Sequence, residues 1–133
     1  MSKSLPIGEL ARRTGVNIET IRFYEKQAIL PEPVRSDSGR RLYNEDDVKR
    51  LSFIHRCRGL GFSLKEVESL LSLVDGGAYT CKEVHEITAA HAQDVKKKIR
   101  ALQKMESVLD EMIEHCSKGD VPHCPIIDSL FTS

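Results

Sequence analysis

No stretch of this chain approaches the roughly 18 consecutive apolar residues needed to span a bilayer. Residues 1–5 carry no apolar core of a secretion signal. These absences predict a soluble, cytoplasmic protein with no membrane partner. Chemistry-bearing motifs are missing as well: there is no Cys-x-x-Cys pair, no glycine-rich phosphate loop and no Ser/His/Asp constellation. A thiol oxidoreductase therefore lacks its signature, and an enzyme is not expected. Nor is there an overall basic balance, since 20 Lys and Arg face 20 Asp and Glu for a net charge of +0.

What charge there is has been distributed unevenly. Residues 1–60 hold 12 Lys and Arg against 8 Asp and Glu, whereas residues 61–133 hold 8 against 12. A polyanion would bind the first half. At 133 residues the chain can form one modest core, or one compact domain with a long extension, and the pattern below favours the second. Four cysteines in a non-secreted chain point to metal binding or redox sensing ahead of a disulfide framework.

Ile7, Leu10 and Ala11 recur at helical spacing behind Pro6, and Gly15-Val16 breaks that helix. Asn17 can cap a second helix over about residues 18–27, with Ile18 and Ile21 inward and Thr20, Arg22 and Tyr24 on the exposed side. Two short helices around a glycine-containing turn make a helix-turn-helix. Leu30-Pro31-Glu32-Pro33 cannot continue a helix. Residues 34–43 then read as two short strands around an Asp-Ser-Gly turn, a wing on which Arg35, Arg40 and Arg41 cluster as phosphate holders. A third helix begins at Asn44 or Glu45, with Val48, Leu51, Phe53 and Ile54 apolar, and ends at Gly59 to Gly61 near Arg56 and Arg58. Ser63 caps a fourth over about residues 64–73, with Glu66 completing a capping box. Cys57 reads as a small buried thiol.

Asp75-Gly76-Gly77-Ala78 reads as a flexible break before a long polar helix. Along it Ala92, Val95, Ile99, Leu102, Leu109 and Ile113 form a heptad seam with a gap at Glu106, and Cys116 continues the seam. So narrow a stripe suits one partner helix better than a globular core. If residues 82–115 are one helix, Cys81 and Cys116 lie roughly 50 Å apart. One chain cannot bring them to one ion, but two antiparallel copies can, each Cys81 lying beside Cys116 and Cys124 of its partner. The domain reading is 1–74 for DNA binding, 75–80 as linker, 81–115 for dimerisation, and 116–133 for a metal-binding loop and apolar tail.

With these residues in place, the chain resembles the MerR family of transcription activators. The resemblance rests on Ile7-Gly8-Glu9-Leu10-Ala11, Thr20-Ile21-Arg22-Phe23-Tyr24-Glu25, Arg41-Leu42-Tyr43 and Leu60-Gly61-Phe62-Ser63-Leu64, and it covers nearly the whole length. It implies a mainly α fold: a winged helix-turn-helix DNA-binding domain, a long antiparallel coiled-coil dimerisation helix and a short metal-binding tail. Carried onto this chain, it sets Thr20, Arg22 and Tyr24 on DNA, with Arg35, Arg41, Tyr43 and Arg58 on phosphates. Arg40 stands where many relatives have an aromatic residue; a backbone contact there fits, and packing on a sugar does not.

The resemblance also bears on the effector. Copper(I)-sensing relatives match Cys116 and Cys124 but lack a cysteine at position 81, whereas those sensing divalent mercury, cadmium, lead or zinc have all three. A third thiolate adds the charge and donor that suit a divalent ion. Three thiolates without a fourth ligand favour Hg(II); Cd(II), Pb(II) and Zn(II) stay open, with His85, His115 or His123 able to complete a zinc tetrahedron. The implied partners are double-stranded promoter DNA, a second copy of the chain and RNA polymerase at the promoter. A metal-buffering coiled-coil adaptor is the alternative class.

Overall fold

The computed structural model describes residues 4–115 and 124–132; Cys116 and His123 fall outside them. Helix α1, Ile7–Thr14, buries Leu10 and Thr14 and ends at Gly15, whose φ of 76° is the left-handed conformation that suits glycine. Helix α2, Ile18–Lys26, starts as the sequence predicts: the Asn17 side chain accepts the Thr20 N–H at 2.8 Å, a cap typically contributing about 1 kcal/mol. Strands β1, Val34–Arg35, and β2, Arg41–Leu42, pair antiparallel with Val34 opposite Leu42 and Arg35 opposite Arg41. Leu5 adds a bridge to Tyr43, with reciprocal backbone bonds of 2.7 and 2.8 Å. The sequence reading had no element at Leu5.

Helix α3, Glu45–Gly59, opens with a capping box between Asn44 and Asp47. Helix α4, Leu64–Gly76, opens with the expected box between Ser63 and Glu66. It runs further than predicted, because Asp75 and Gly76 remain helical and the chain turns at Gly77 with φ 73°. The first half of the segment read as a flexible break is thus the end of a helix. Helix α5, Cys81–Glu114, is continuous over 34 residues, and α6, Pro125–Phe131, follows Cys124 as its N-cap. Pro125 sits in the first turn of α6, where a missing N–H costs no helical bond.

The chain divides into two compact units, Met1–Ile87 and Thr88–Ser133, so the division falls inside α5 beyond the stretch read as a linker. The first has a closed core: Leu10, Ile21, Leu30, Leu51, Ile54 and Val67 are all 0% exposed. Each such side chain contributes about 1.5–3 kcal/mol relative to its exposed state. Leu5, Ile7, Ala11, Val48 and Phe53 are partly buried against this core, as are Val84 and Ile87 from the start of α5. The second unit is the opposite: Ile99, Leu102, Val108, Leu109 and Ile113 are largely exposed on α5, as are Ile127, Leu130 and Phe131 on α6.

Candidate functional site

On the first unit, basic side chains converge beside the wing. Arg22 is exposed on α2, on the face opposite Ile21 and Tyr24. The wing tip is fixed by its own hydrogen bonds: Ser36 N–H to Arg40 O at 2.8 Å, Gly39 N–H to Ser36 O at 2.9 Å, and the Arg35 guanidinium to Gly39 O at 2.9 Å. Arg35 and Arg41 face each other across the strand pair. Arg22, Arg35 and Arg41 line a groove of about 330 Å³ together with Lys26, Glu25 and Glu32, and a second of about 560 Å³ that is also lined by Arg40 and by Gly8 at the start of α1. The arrangement suits a polyanion backbone lying between recognition helix and wing.

Two predicted contact residues take different positions. Tyr24 was expected on the exposed side of α2; it is buried at 7% exposure, because it falls one turn after Ile21 on the core face. Tyr43, expected on a phosphate, is 1% exposed, and its hydroxyl donates to Glu25 Oε1 at 2.5 Å. Burial and this bond to a carboxylate push the Tyr43 hydroxyl pKa well above its ordinary value. Glu25 Oε2 in turn lies 3.5 Å from Arg41 Nε, a buried nitrogen with no hydrogen-bond partner among the described residues. Glu25 is therefore the fixed point that holds the base of the wing through Tyr43 and Arg41. No local sequence signal marks this role, because only the fold brings Glu25 to Tyr43 and Arg41. Arg58 is exposed and donates to Phe62 O at 2.7 Å, while Thr20 is half-buried.

The cysteines are distributed over both units. Cys57 is buried in the core, and desolvation raises its thiol pKa. Cys81 is an exposed free thiol at the first position of α5. Thr80 and Glu83 fix that position: Glu83 N–H donates to Thr80 Oγ1 at 3.2 Å and Thr80 N–H to Glu83 Oε1 at 3.1 Å. The Thr80-x-x-Glu83 spacing is a capping-box signal the sequence reading passed over. In the second unit Cys124 is an exposed free thiol at the N-cap of α6. Beside it, Val108, Glu111, Met112 and His115 of the α5 end line a groove of about 410 Å³ with Pro125 and Ser129. Thiols of this kind are soft donors that fit soft metal ions. Cys116, the third predicted donor, lies outside the described residues, and among those residues no three His, Cys, Asp or Glu side chains converge.

A winged helix-turn-helix with a basic groove, leading into one long helix with an exposed apolar stripe, defines a DNA-binding transcription regulator rather than an enzyme. Residues 5–74 match the family described as MerR HTH family regulatory protein, and residues 48–112 match the one described as MerR, DNA binding. The chain belongs to the MerR family. It is 42% identical over 125 residues to the mercuric resistance operon regulatory protein of Bacillus cereus, covering 93% of this chain and 95% of that one. Its fold is similar to the lead(II) complex of the transcription regulator PbrR691 from Ralstonia metallidurans, with TM-score 0.81, 37% identity, and 95% and 98% of the two chains covered. The mercury(II) complex of MerR from Bacillus megaterium is likewise similar, with TM-score 0.73, 36% identity and the same shares of 95% and 98%. Among the described residues no helix is long and apolar enough to cross a membrane.

Proposed function

We propose that this protein is a metal-responsive transcription regulator, acting as a homodimer on promoter DNA, with mercury(II) as its effector. The observation that carries the reading is Cys81 exposed at the start of a continuous 34-residue helix whose apolar stripe is exposed. A helix of that length measures about 50 Å, so a donor at one end reaches the opposite end of the pair only through a second, antiparallel copy. Cys81 of one subunit then joins Cys116 and Cys124 of the partner subunit in a thiolate set for a soft divalent ion. Thr20 and Arg22 present to the operator, and Arg35, Arg40, Arg41 and Arg58 hold phosphates. Tyr24 and Tyr43 support that surface from within.

In the mechanism, the dimer holds its operator with and without metal and engages RNA polymerase there. Closing Cys81 onto the loop of the partner subunit shifts the long helices against the winged domains, and the DNA is bent and untwisted into an active promoter. The closure drives this only as far as the thiolate set fits the activating arrangement better than the repressing one. The deformability of the operator supplies part of the specificity.

Mercury(II) is favoured by the mercuric resistance regulators among the relatives and by the softness of three thiolates. Lead(II) is the second reading, supported by the likeness to the lead-bound regulator; cadmium and zinc follow. A promoter-reporter response across the four metals tests this, with induction expected at the lowest concentration for mercury. Induction by lead at a lower concentration transfers the assignment to lead, and no induction by any of them overturns the metal reading. Cys81→Ser should leave operator binding within about twofold, as expected of a residue remote from phosphate contacts, and abolish induction.

A further inference from the structure

Arg50, on α3, makes a connection that neither the DNA surface nor the thiol set uses. Its Nε donates to Ile29 O at 3.0 Å, and its two terminal nitrogens bind Asp75 Oδ1 and Oδ2 at 2.8 and 3.1 Å. Each end of this clamp is informative. Ile29 follows Ala28, the one non-glycine residue with positive φ among those described, at 60°, and strain of that kind persists only where neighbours enforce it. The Ile29 N–H is in turn bonded to Tyr24 O of the recognition helix at 3.0 Å. Asp75 lies in the last turn of α4, just before the left-handed Gly77 and the Thr80 cap that sets Cys81. The clamp therefore joins the strained exit of the recognition helix to the segment that positions the metal-binding thiol. A planar guanidinium that binds a carboxylate on two bonds and a carbonyl on a third fixes orientation as well as distance.

We infer that Arg50 and Asp75 are positioning residues that transmit metal binding at Cys81 to the recognition helix; this rests on the metal-responsive reading above. The Arg13–Glu45 pair provides the control. It too is an exposed two-bond clamp, of 2.6 and 3.0 Å between α1 and α3, but it leads to neither Cys81 nor the exit of α2.

The test uses the full-length dimer with an operator recovered by selection from random duplex DNA, and mercuric chloride as the metal. In the wild type, amide hydrogen exchange at Ala28, Ile29 and Leu30 should change when mercury(II) binds. In Asp75→Asn that change, and the reporter induction ratio, should both fall about fivefold or more, the lower range of ordinary allosteric coupling. Mercury affinity and uninduced operator affinity should stay within about twofold. Arg50→Lys, which keeps the charge but cannot bind on two bonds, should behave alike, and Glu45→Gln should behave as wild type. An Asp75→Asn protein that responds as the wild type, or one that loses metal or operator affinity, overturns the inference; so does an equal loss of induction in Glu45→Gln. A wild type that neither binds nor answers mercury(II) or the other three metals instead removes the metal reading itself, and this inference with it.

Discussion

The two units of this chain are built to opposite rules. In Met1–Ile87 the large aliphatic side chains are enclosed, α2, α3 and α4 carry side-chain caps, and polar groups such as Tyr43 and Glu25 satisfy each other. From Thr88 onward, a comparable set of apolar residues lies open along α5 and α6. The first unit has the closed core of an independent domain, and the second leaves its apolar stripe exposed. Under the proposed function, the closed unit reads the promoter and the open stripe pairs with a second copy.

The largest effect that probes this contrast is a cavity in the closed core. Leu51→Ala should lower unfolding free energy by about 2–5 kcal/mol, equally at low and high protein concentration, as read by chemical denaturation. Leu102→Asp on the open stripe should act differently. It should weaken dimerisation at least about tenfold, since an unpaired charge at a buried seam costs well over 1 kcal/mol, while leaving the unfolding of the winged unit unchanged. Sedimentation equilibrium checks the first effect and near-ultraviolet circular dichroism the second. A monomeric wild type, or a Leu102→Asp dimer as tight as the wild type, breaks the comparison.

Smaller effects sharpen the picture of the closed unit. Tyr43→Phe removes a hydrogen bond to a carboxylate and should cost about 1.5–3 kcal/mol near neutral pH. Because the folded-state pKa of Tyr43 is raised, its contribution is complete below the ordinary tyrosine value of 10.0. It is lost as pH rises beyond that value, where the unfolded tyrosine ionises and the folded one does not. The wild type should therefore lose stability above pH 10 more steeply than Tyr43→Phe does, in denaturant titrations at graded pH. Smallest of all, Ala28→Gly should stabilise by about 0.5–1 kcal/mol, because glycine adopts positive φ without the penalty alanine carries. Its melting temperature reports this directly.

Most of the architecture was legible in the residue pattern, for identifiable reasons. Helical spacing of Ile7, Leu10 and Ala11, the caps at Asn17 and Ser63, and the wing turn are local signals, and those elements begin where the signals put them. What escaped depends on contacts distant in sequence. The Leu5 bridge to Tyr43, the role of Glu25 beneath the wing, and the Arg50 clamp on Ile29 and Asp75 all join residues whose proximity only the fold creates. Periodicity could have placed Tyr24 inward, since it follows Ile21 by one turn, and the polar hydroxyl argued against it. Glycine content suggested a break at residues 75–78, whereas α4 continues through Gly76 and the chain turns only at Gly77. Of the three cysteines proposed as metal donors, Cys81 and Cys124 are exposed free thiols, and Cys116 falls outside the described residues.

The central claim is that each metal site is shared between two copies, and mixed dimers test it most directly. Differently tagged Cys81→Ser and Cys124→Ser chains are unfolded together, refolded, and purified through both tags, and mercury(II) binding is measured against a competing thiol. Each homodimer should have lost high-affinity binding. The mixed dimer should regain one site per dimer, because the intact Cys81 of one chain faces the intact Cys116 and Cys124 of the other. A mixed dimer that binds no better than either parent would contradict a shared site, as would full binding by either variant alone.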